Sequence, residues 1–215
     1  MTRKYLPGIL AMATIVVASN ILVQYLFGNW LTWGAFTYPL AFLVTDLMNR
    51  LYGVQAARKV VLAGFATGVI CSLIGSQIML QGDGYTYAAV PLRVAVASGI
   101  AFLTAQLVDV SIFNRFREGR WWSAPLISTL VGSALDTALF FTIAFSASVA
   151  VFGAQADEAV SWAWDAVPFL GFGSELPLWV SLAFADWLVK LALALIALIP
   201  FRMIVSKAGK AQPAL

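Results

Sequence analysis

Long unbroken apolar stretches, rather than alternating ones, set the pattern of this chain. They run at about Leu6–Phe27, Trp33–Tyr52, Val60–Leu80, Pro91–Phe113, Ala124–Phe152 and Pro177–Val205. Each reaches or exceeds the roughly 20 residues a helix needs to cross a bilayer. A membrane β-barrel would instead show shorter segments of alternating polarity. The breaks carry turn chemistry: Gly28-Asn29, Gly53, Gly82-Asp83-Gly84 and Glu118-Gly119. The pattern predicts an all-α fold, a polytopic bundle of six transmembrane helices forming one domain over residues 1–215. The first apolar stretch is too long for an ordinary signal-peptide core, so it reads as the first span.

One connection is longer, from Gly153 to Leu176. It sets Trp162, Trp164, Phe169 and Phe172 among acidic residues, with Gly171 and Gly173 nearby. Aromatic rings favour the membrane–water interface, so an interfacial anchor is the simpler reading and a lid over a binding site the sharper one.

Charge then orients the bundle. Arg3 and Lys4 precede the first stretch, and Arg50, Arg58 and Lys59 surround the second connection. Arg115, Arg117 and Arg120 occupy the fourth, and Arg202, Lys207 and Lys210 close the chain. Those are eleven of the 13 basic residues. The alternate connections hold Asp83, Asp157, Glu158, Asp165 and Glu175, with Arg93 near that edge. The positive-inside rule places both termini in the cytoplasm, as an even number of spans requires. The formal charge of +3 follows from this topology and needs no nucleic-acid partner.

Composition narrows the chemistry. Hydrophobic residues make up 61% and charged ones 11%, about half the charged fraction of a soluble domain. There is no histidine and a single cysteine, Cys71. Internal disulfides, Cys-x-x-Cys sites, His-based zinc sites and Ser-His-Asp triads are therefore excluded. No cofactor is expected.

The residues a bilayer should reject carry most information. Asp46, Asp109, Asp136, Asp186 and Lys190 lie inside the apolar stretches, joined by Asn20, Gln24, Asn49 and Gln106. A central Asp or Lys costs roughly 2.5–3.5 kcal/mol on insertion scales. Helical rise puts Asp136 and Asp186 near mid-membrane, while Asp46 and Asp109 fall nearer the cytoplasmic ends. Asn20 and Gln24, Asp46 with Asn49 and Arg50, Gln106 and Asp109, and Asp186 and Lys190 stand three or four residues apart, so each set shares a helix face. Asp186–Lys190 and Asp46–Arg50 can each be read as a self-neutralising pair. Two cations do not neutralise four carboxylates at separate depths, and a polar central cavity accounts for the whole set.

These positions fall within a recognisable series. It comprises Ser19-Asn20 with Gln24, Thr32-Trp33-Gly34-Ala35-Phe36-Thr37-Tyr38-Pro39, and Phe42-Leu43-Val44-Thr45-Asp46-Leu47 with Arg50 and Gly53. Gln106-Leu107-Val108-Asp109-Val110, Phe113-Asn114-Arg115, Trp121-Trp122, Ala124-Pro125 and Ser128-Thr129 follow. Gly132, Asp136-Thr137, Phe140-Phe141 and Asp186 with Lys190 complete it. In this the chain resembles the queuosine precursor transporter family, also known as the vitamin uptake transporter family. The resemblance implies uptake of 7-deazaguanines, 7-cyano-7-deazaguanine (preQ0) or 7-aminomethyl-7-deazaguanine (preQ1), across the inner membrane. Substrate contacts are then expected from Asn20, Gln24, Asp46, Gln106, Asp109, Asp136, Asp186 and Lys190. Carboxylates would accept from the guanine-like edge and amides would match the remainder. Tyr38, Phe42, Phe140 and Trp187 are candidate stacking partners for the flat ring. The expected partners are this small ligand, the lipid bilayer and, as a candidate, a second copy of the chain.

Two other classes compete. A substrate-capture subunit, like the binding component of an energy-coupling-factor transporter, would need an ATPase module. A membrane enzyme could use Asp136 and Asp186 as an aspartyl dyad, which requires carboxylates within a few ångströms. The wider polar set has no role in such an enzyme, and no enzymatic activity is expected.

Overall fold

The computed structural model describes residues 4–82 and 86–210. Arg3, Asp83 and Gly84, used above for charge and turns, lie outside them. Helix α1 spans Leu6–Leu22, with Pro7 in its first turn, where its missing N–H costs nothing. A hairpin of β1 (Leu26–Phe27) and β2 (Leu31–Thr32) follows. It turns at Gly28, whose φ of +66° suits glycine.

The second apolar stretch forms two helices, not one: α2 (Gly34–Thr37) and α3 (Leu40–Tyr52). Pro39 separates them. It has no N–H to offer the Ala35 carbonyl, so the ladder loses a rung there. Gly53 alone joins α3 to α4 (Val54–Gly75), with φ +86°. Helix α4 starts a turn and a half before the apolar stretch expected from Val60. Its first turns are amphipathic: Ala56 and Ala57 are buried while Gln55, Arg58 and Lys59 face outward.

Hairpin β3 (Met79–Gln81) and β4 (Thr86–Ala88) leads to α5 (Leu92–Phe116), and α6 covers Ser123–Phe145. Helix α6 stops short of the expected Phe152 because Ser146 turns extended (ψ 126°) and its Oγ meets Ser148 Oγ at 2.7 Å. The long connection folds into α7 (Ala154–Glu158), two 3-10 turns, and hairpin β5 (Ala166–Pro168) and β6 (Glu175–Pro177). Helix α8 (Leu178–Lys210) closes the chain, with Pro200 inside it.

The architecture is an all-α bundle whose only sheets among the described residues are these three short hairpins. Helices α5 and α6 pack along their length, with α1 and α4 on one flank and α8 on the other, against α6 and α3. Met12, Met48, Val60, Val61, Phe102 and Val110 fill the α1–α3–α4–α5 core. Val54–Gly75, Leu92–Phe116, Ser123–Phe145 and Leu178–Ala208 are long and apolar enough to cross a membrane; α1 is apolar but shorter. Outward faces are greasy too, as Leu62, Ile70, Leu73 and Ile74 on α4 and Leu195, Ile196 and Ile199 on α8 show. A lipid-facing surface needs that composition.

The two ends of the bundle differ. The hairpins share one end: Gln24 Nε2 of the first connection donates to Ala89 O beyond β4 at 3.1 Å. Arg93, fully buried, donates there to Ile143 O, Ser146 O and Asp157, the last at 2.6 Å. Trp164 Nε1 reaches Phe145 O at 2.6 Å, so the long connection is pinned to α5 and α6. Its Trp162 and Phe172 are exposed. The opposite, basic end holds Arg50 and Arg117, each donating to the other's carbonyl (2.7 and 2.9 Å). The expected Asp46–Arg50 pair does not form, because the Arg50 guanidinium is committed to that cross-helix bond.

Candidate functional site

Two polar clusters sit inside the bundle, one above the other along α6. The first joins α6, α8 and the α2–α3 break. Lys190 Nζ lies 2.7 Å from Asp136 Oδ2, 2.6 Å from Asp186 Oδ2 and 2.9 Å from Thr137 Oγ1. An ammonium has three N–H donors, and here each has an acceptor. Thr137 donates onward to Asp186 at 2.9 Å, and Tyr38 Oη donates to Asp136 Oδ1 at 3.2 Å. Lys190 also stands 5.6 Å from the Tyr38 ring centroid, within cation–π range. Lys190 and Asp136 are 4% exposed, so the charges meet in a low-dielectric setting where an unpaired one would be very costly.

The i,i+4 pair expected on α8 therefore exists, but as part of a triad: Asp136, which has no cation on its own helix, takes its cation from α8. Lys190 touches both carboxylates and occupies one oxygen of each. An Asp136–Asp186 dyad sharing a proton is not what this arrangement provides.

The second cluster lies toward the basic end. Asp46 on α3 is 2% exposed and accepts from Ser128 Oγ and Thr129 Oγ1 of α6, both at 3.2 Å. Thr45 Oγ1 donates to Gln106 Oε1 of α5 at 2.6 Å, and Asn49 Nδ2 donates to Val110 O at 3.0 Å. Asp109 lies beside Asp46 and is fully buried. Gly132 makes this crossing possible: a Cβ there would stand 2.8 Å from Phe42 Cε1 and 3.3 Å from Asp109 Cβ. Phe42 is thus buried in packing against α6.

Beside these clusters a cavity of ≈ 400 Å³ opens between α1, α4 and α5. Its wall is mostly apolar, with Asn20, Ser72, Ser76 and Ser98 as polar points and Tyr38, Phe65 and Phe102 as rings. Tyr38 and Phe102 meet edge to face at 6.0 Å. Asn20 Nδ2 donates to Val16 O at 2.8 Å. Tyr38 belongs to both places, with its ring on the cavity wall and its hydroxyl on Asp136.

The expected site residues therefore separate. Asp136, Asp186, Lys190 and Tyr38 come together; of these Tyr38 lines the cavity, where Asn20 joins it. Asp46, Gln106, Asp109 and Phe42 form the deeper group. Trp187 follows Asp186, 6.3 Å from Phe184, and its buried Nε1 has no partner. Gln24 stands at the hairpin end on Ala89, and Phe140 packs with Phe141 and Phe145 near that end (5.1 and 5.9 Å). Sequence reasoning did not single out Ser128, Thr129 or Thr137 as site residues. Their signal was present: Ser128, Thr129, Gly132, Ser133, Asp136 and Thr137 recur every four residues along one face of α6.

Comparison with known proteins adds to this geometry. The family described as "Putative vitamin uptake transporter" matches residues 32–205. The chain is 38% identical over 151 residues to the "Queuosine precursor transporter" of Escherichia coli (strain K12), covering 66% of this chain and 68% of that one. It is 31% identical over 208 residues to the "Probable queuosine precursor transporter" of Haemophilus influenzae, covering 86% and 79%. The chain belongs to the vitamin uptake transporter family. A Bacillus subtilis member, also a "Probable queuosine precursor transporter", is 31% identical over 134 residues, 56% of this chain and 58% of that one. No solved structure matches. The chain is a multi-pass membrane protein, and both polar clusters fall within the matched residues.

Proposed function

We propose that this transporter takes up a 7-deazaguanine queuosine precursor, preQ0 or preQ1, across the inner membrane. In this reading it has six spans, with α2 and α3 together forming the second, and both termini lie in the cytoplasm. Two facts support that orientation: the basic connections gather at one end of the bundle and the hairpins at the other.

One observation carries the ligand assignment: Tyr38 forms part of the cavity wall while donating to the buried carboxylate of Asp136. At ≈ 400 Å³ the cavity falls in the range of small-molecule sites, about 300–1,000 Å³. The ligand's N–H edge takes the place of the Tyr38 hydroxyl at Asp136 Oδ1, while Lys190 keeps Oδ2. A donor-rich heterocycle thus enters without uncovering a bare charge. Asn20 supplies a complementary amide, and the heterocycle stacks on Tyr38 or Phe102. Asp186 and Thr137 hold Lys190 in place.

The test is equilibrium binding of labelled preQ0 and preQ1 to the purified protein. Asp136→Asn preserves shape but turns an acceptor into a donor, so binding should weaken by about 2–5 kcal/mol. Asn20→Ala, which deletes a neutral partner, should cost about 0.5–1.5 kcal/mol. Wild-type affinity in folded Asp136→Asn would place the ligand elsewhere.

A further inference from the structure

The deeper cluster has more acceptors than donors. Asp109 is fully buried, neither of its carboxyl oxygens has a partner within hydrogen-bond distance, and Ser128 Oγ is the hydroxyl that faces it. Its neighbour Asp46 is almost as deeply buried and receives only two hydroxyl donors, at 3.2 Å each. The two carboxyls face each other, so that a proton on one is placed to bridge to the other. Gln106, fully buried one turn from Asp109 on the same helix, leaves its Nε2 without a partner as well.

The packed elements supply no cation. On α3, Arg50 donates to Arg117 O. On α4, Arg58 and Lys59 are exposed; on α5, Arg115 is exposed and Arg93, at the other end of the helix, is held by Asp157. Helix α1 has no charged residue, and α6 has none before Asp136. On α8, Lys190 is held by Asp136 and Asp186, and exposed Arg202 lies over Trp121. Among the described residues no ion pair reaches Asp46 or Asp109. Two carboxylates facing each other in such surroundings do not both stay ionised.

We propose that Asp46 and Asp109 share one proton and form the proton-binding site that couples uptake to a proton gradient. A proton needs no coordination shell, and the space beside Asp46 is ≈ 20 Å³, room for about one water. That small chamber between α3, α6 and α8 offers the proton a relay, lined on the α8 side by apolar Leu193, Ala194, Ala197 and Leu198. Two elements span both clusters. Helix α6 carries Ser128 and Thr129 at the carboxyl pair and Asp136 and Thr137 two turns on. Helix α3 carries Asp46 and begins immediately after Tyr38-Pro39. A ligand that displaces the Tyr38 hydroxyl therefore acts on the segments that hold the carboxyls together. By linkage the proton must act back on the ligand with equal coupling.

The transport arm of the test rests on the uptake reading above; the spectroscopic arm does not. In the purified protein without ligand, infrared difference spectra at neutral pH should show the C=O stretch of a protonated, buried carboxylic acid. Asp109→Asn should shift it, and so should Asp46→Asn, because each breaks the bridge between the two carboxyls, while Asp186→Asn should leave it. Absence of that band from the wild type, or an unshifted band in Asp109→Asn, overturns the proposal whether or not any substrate is carried. In proteoliposomes with the membrane potential clamped, one unit of inward pH gradient should accumulate neutral preQ0 by up to about tenfold at one proton per ligand. Asp109→Asn should abolish accumulation yet still exchange internal for external preQ0. Accumulation driven by sodium instead of pH, or undiminished in Asp109→Asn, overturns proton coupling through this pair. A wild type that binds no preQ0 but shows the band would discard the ligand and keep the proton site.

Discussion

Tyr38 Oη reaches Asp136 Oδ1 at 3.2 Å, whereas Lys190 reaches the other oxygen of the same carboxylate at 2.7 Å. The longer, uncharged-donor bond is the weaker of the two, and its donor, Tyr38, lines the cavity. If ligand displaces it, Tyr38→Phe should bind preQ0 at wild-type strength or slightly tighter, since no hydroxyl has to be moved. Tyr38→Ala should weaken binding about three- to tenfold through the lost stacking surface, worth about 0.5–1.5 kcal/mol. Titration of labelled ligand into both variants decides this; a tenfold loss in Tyr38→Phe would show that the hydroxyl itself holds the ligand.

The Lys190 triad makes a stability prediction. Lys190→Met leaves two buried carboxylates without their cation, and removing one member of such a group costs about 3–5 kcal/mol. Removing Lys190 and Asp186 together still strands Asp136, so that pair of changes should not restore stability. The triple variant Asp136→Asn, Asp186→Asn, Lys190→Met should recover most of the loss. Thermal melts in detergent, read by tryptophan fluorescence, provide the comparison. Full recovery in the double variant would mean Asp136 does not depend on Lys190.

At the hairpin end, Arg93 is, among the described residues, the cation holding the long connection to α5 and α6. Arg93→Met should free the connection and expose the Asp157 region to protease, with cleavage between residues 153 and 177 at least tenfold faster. Asp157→Asn keeps Arg93's two carbonyl acceptors and should show a smaller effect. Limited proteolysis with mass mapping checks both. Equal cleavage in all three proteins would remove Arg93 from any anchoring role.

The orientation prediction is independent of ligand. A reporter active only outside the cytoplasm, fused to the C-terminus, should be silent, and the same reporter inserted between Gly153 and Ala154 should be active. The reverse result would invert the topology.

Much of the fold is legible in the apolar pattern, because a lipid-facing helix must be apolar over its whole length. The cores of α1, α4, α5, α6 and α8 fall inside the apolar stretches of the sequence. Pro39 is visible there too, but a block that stays apolar on both sides of a proline does not announce a break. The hairpins leave no trace in the pattern because strands of two or three residues are too short for an alternating signal. Partner choice across helices is the harder part. Spacing along one helix correctly joins Asp186 to Lys190, yet it also suggests Asp46–Arg50, where the arginine instead bonds Arg117 O. Nothing in a one-dimensional pattern tells Lys190 that Asp136, 54 positions away, lies across its groove.

The missing rung at Pro39 has a mechanical consequence. An intact span resists bending because every turn is cross-braced, and moving one of its side chains means moving the whole rod. Here four residues, Gly34 to Thr37, form a stub attached to α3 by a tight turn and moored to α1 by the Ser19–Thr37 hydroxyl contact at 2.9 Å. That neutral bond is worth about 1 kcal/mol, and the stub is packed as well, with Gly34 and Ala35 buried and Phe36 edge to face on Phe27 at 5.0 Å. Tyr38 stands at the joint between the stub and α3, so a push on its ring loads that joint and reaches the first turn of the helix that carries Asp46.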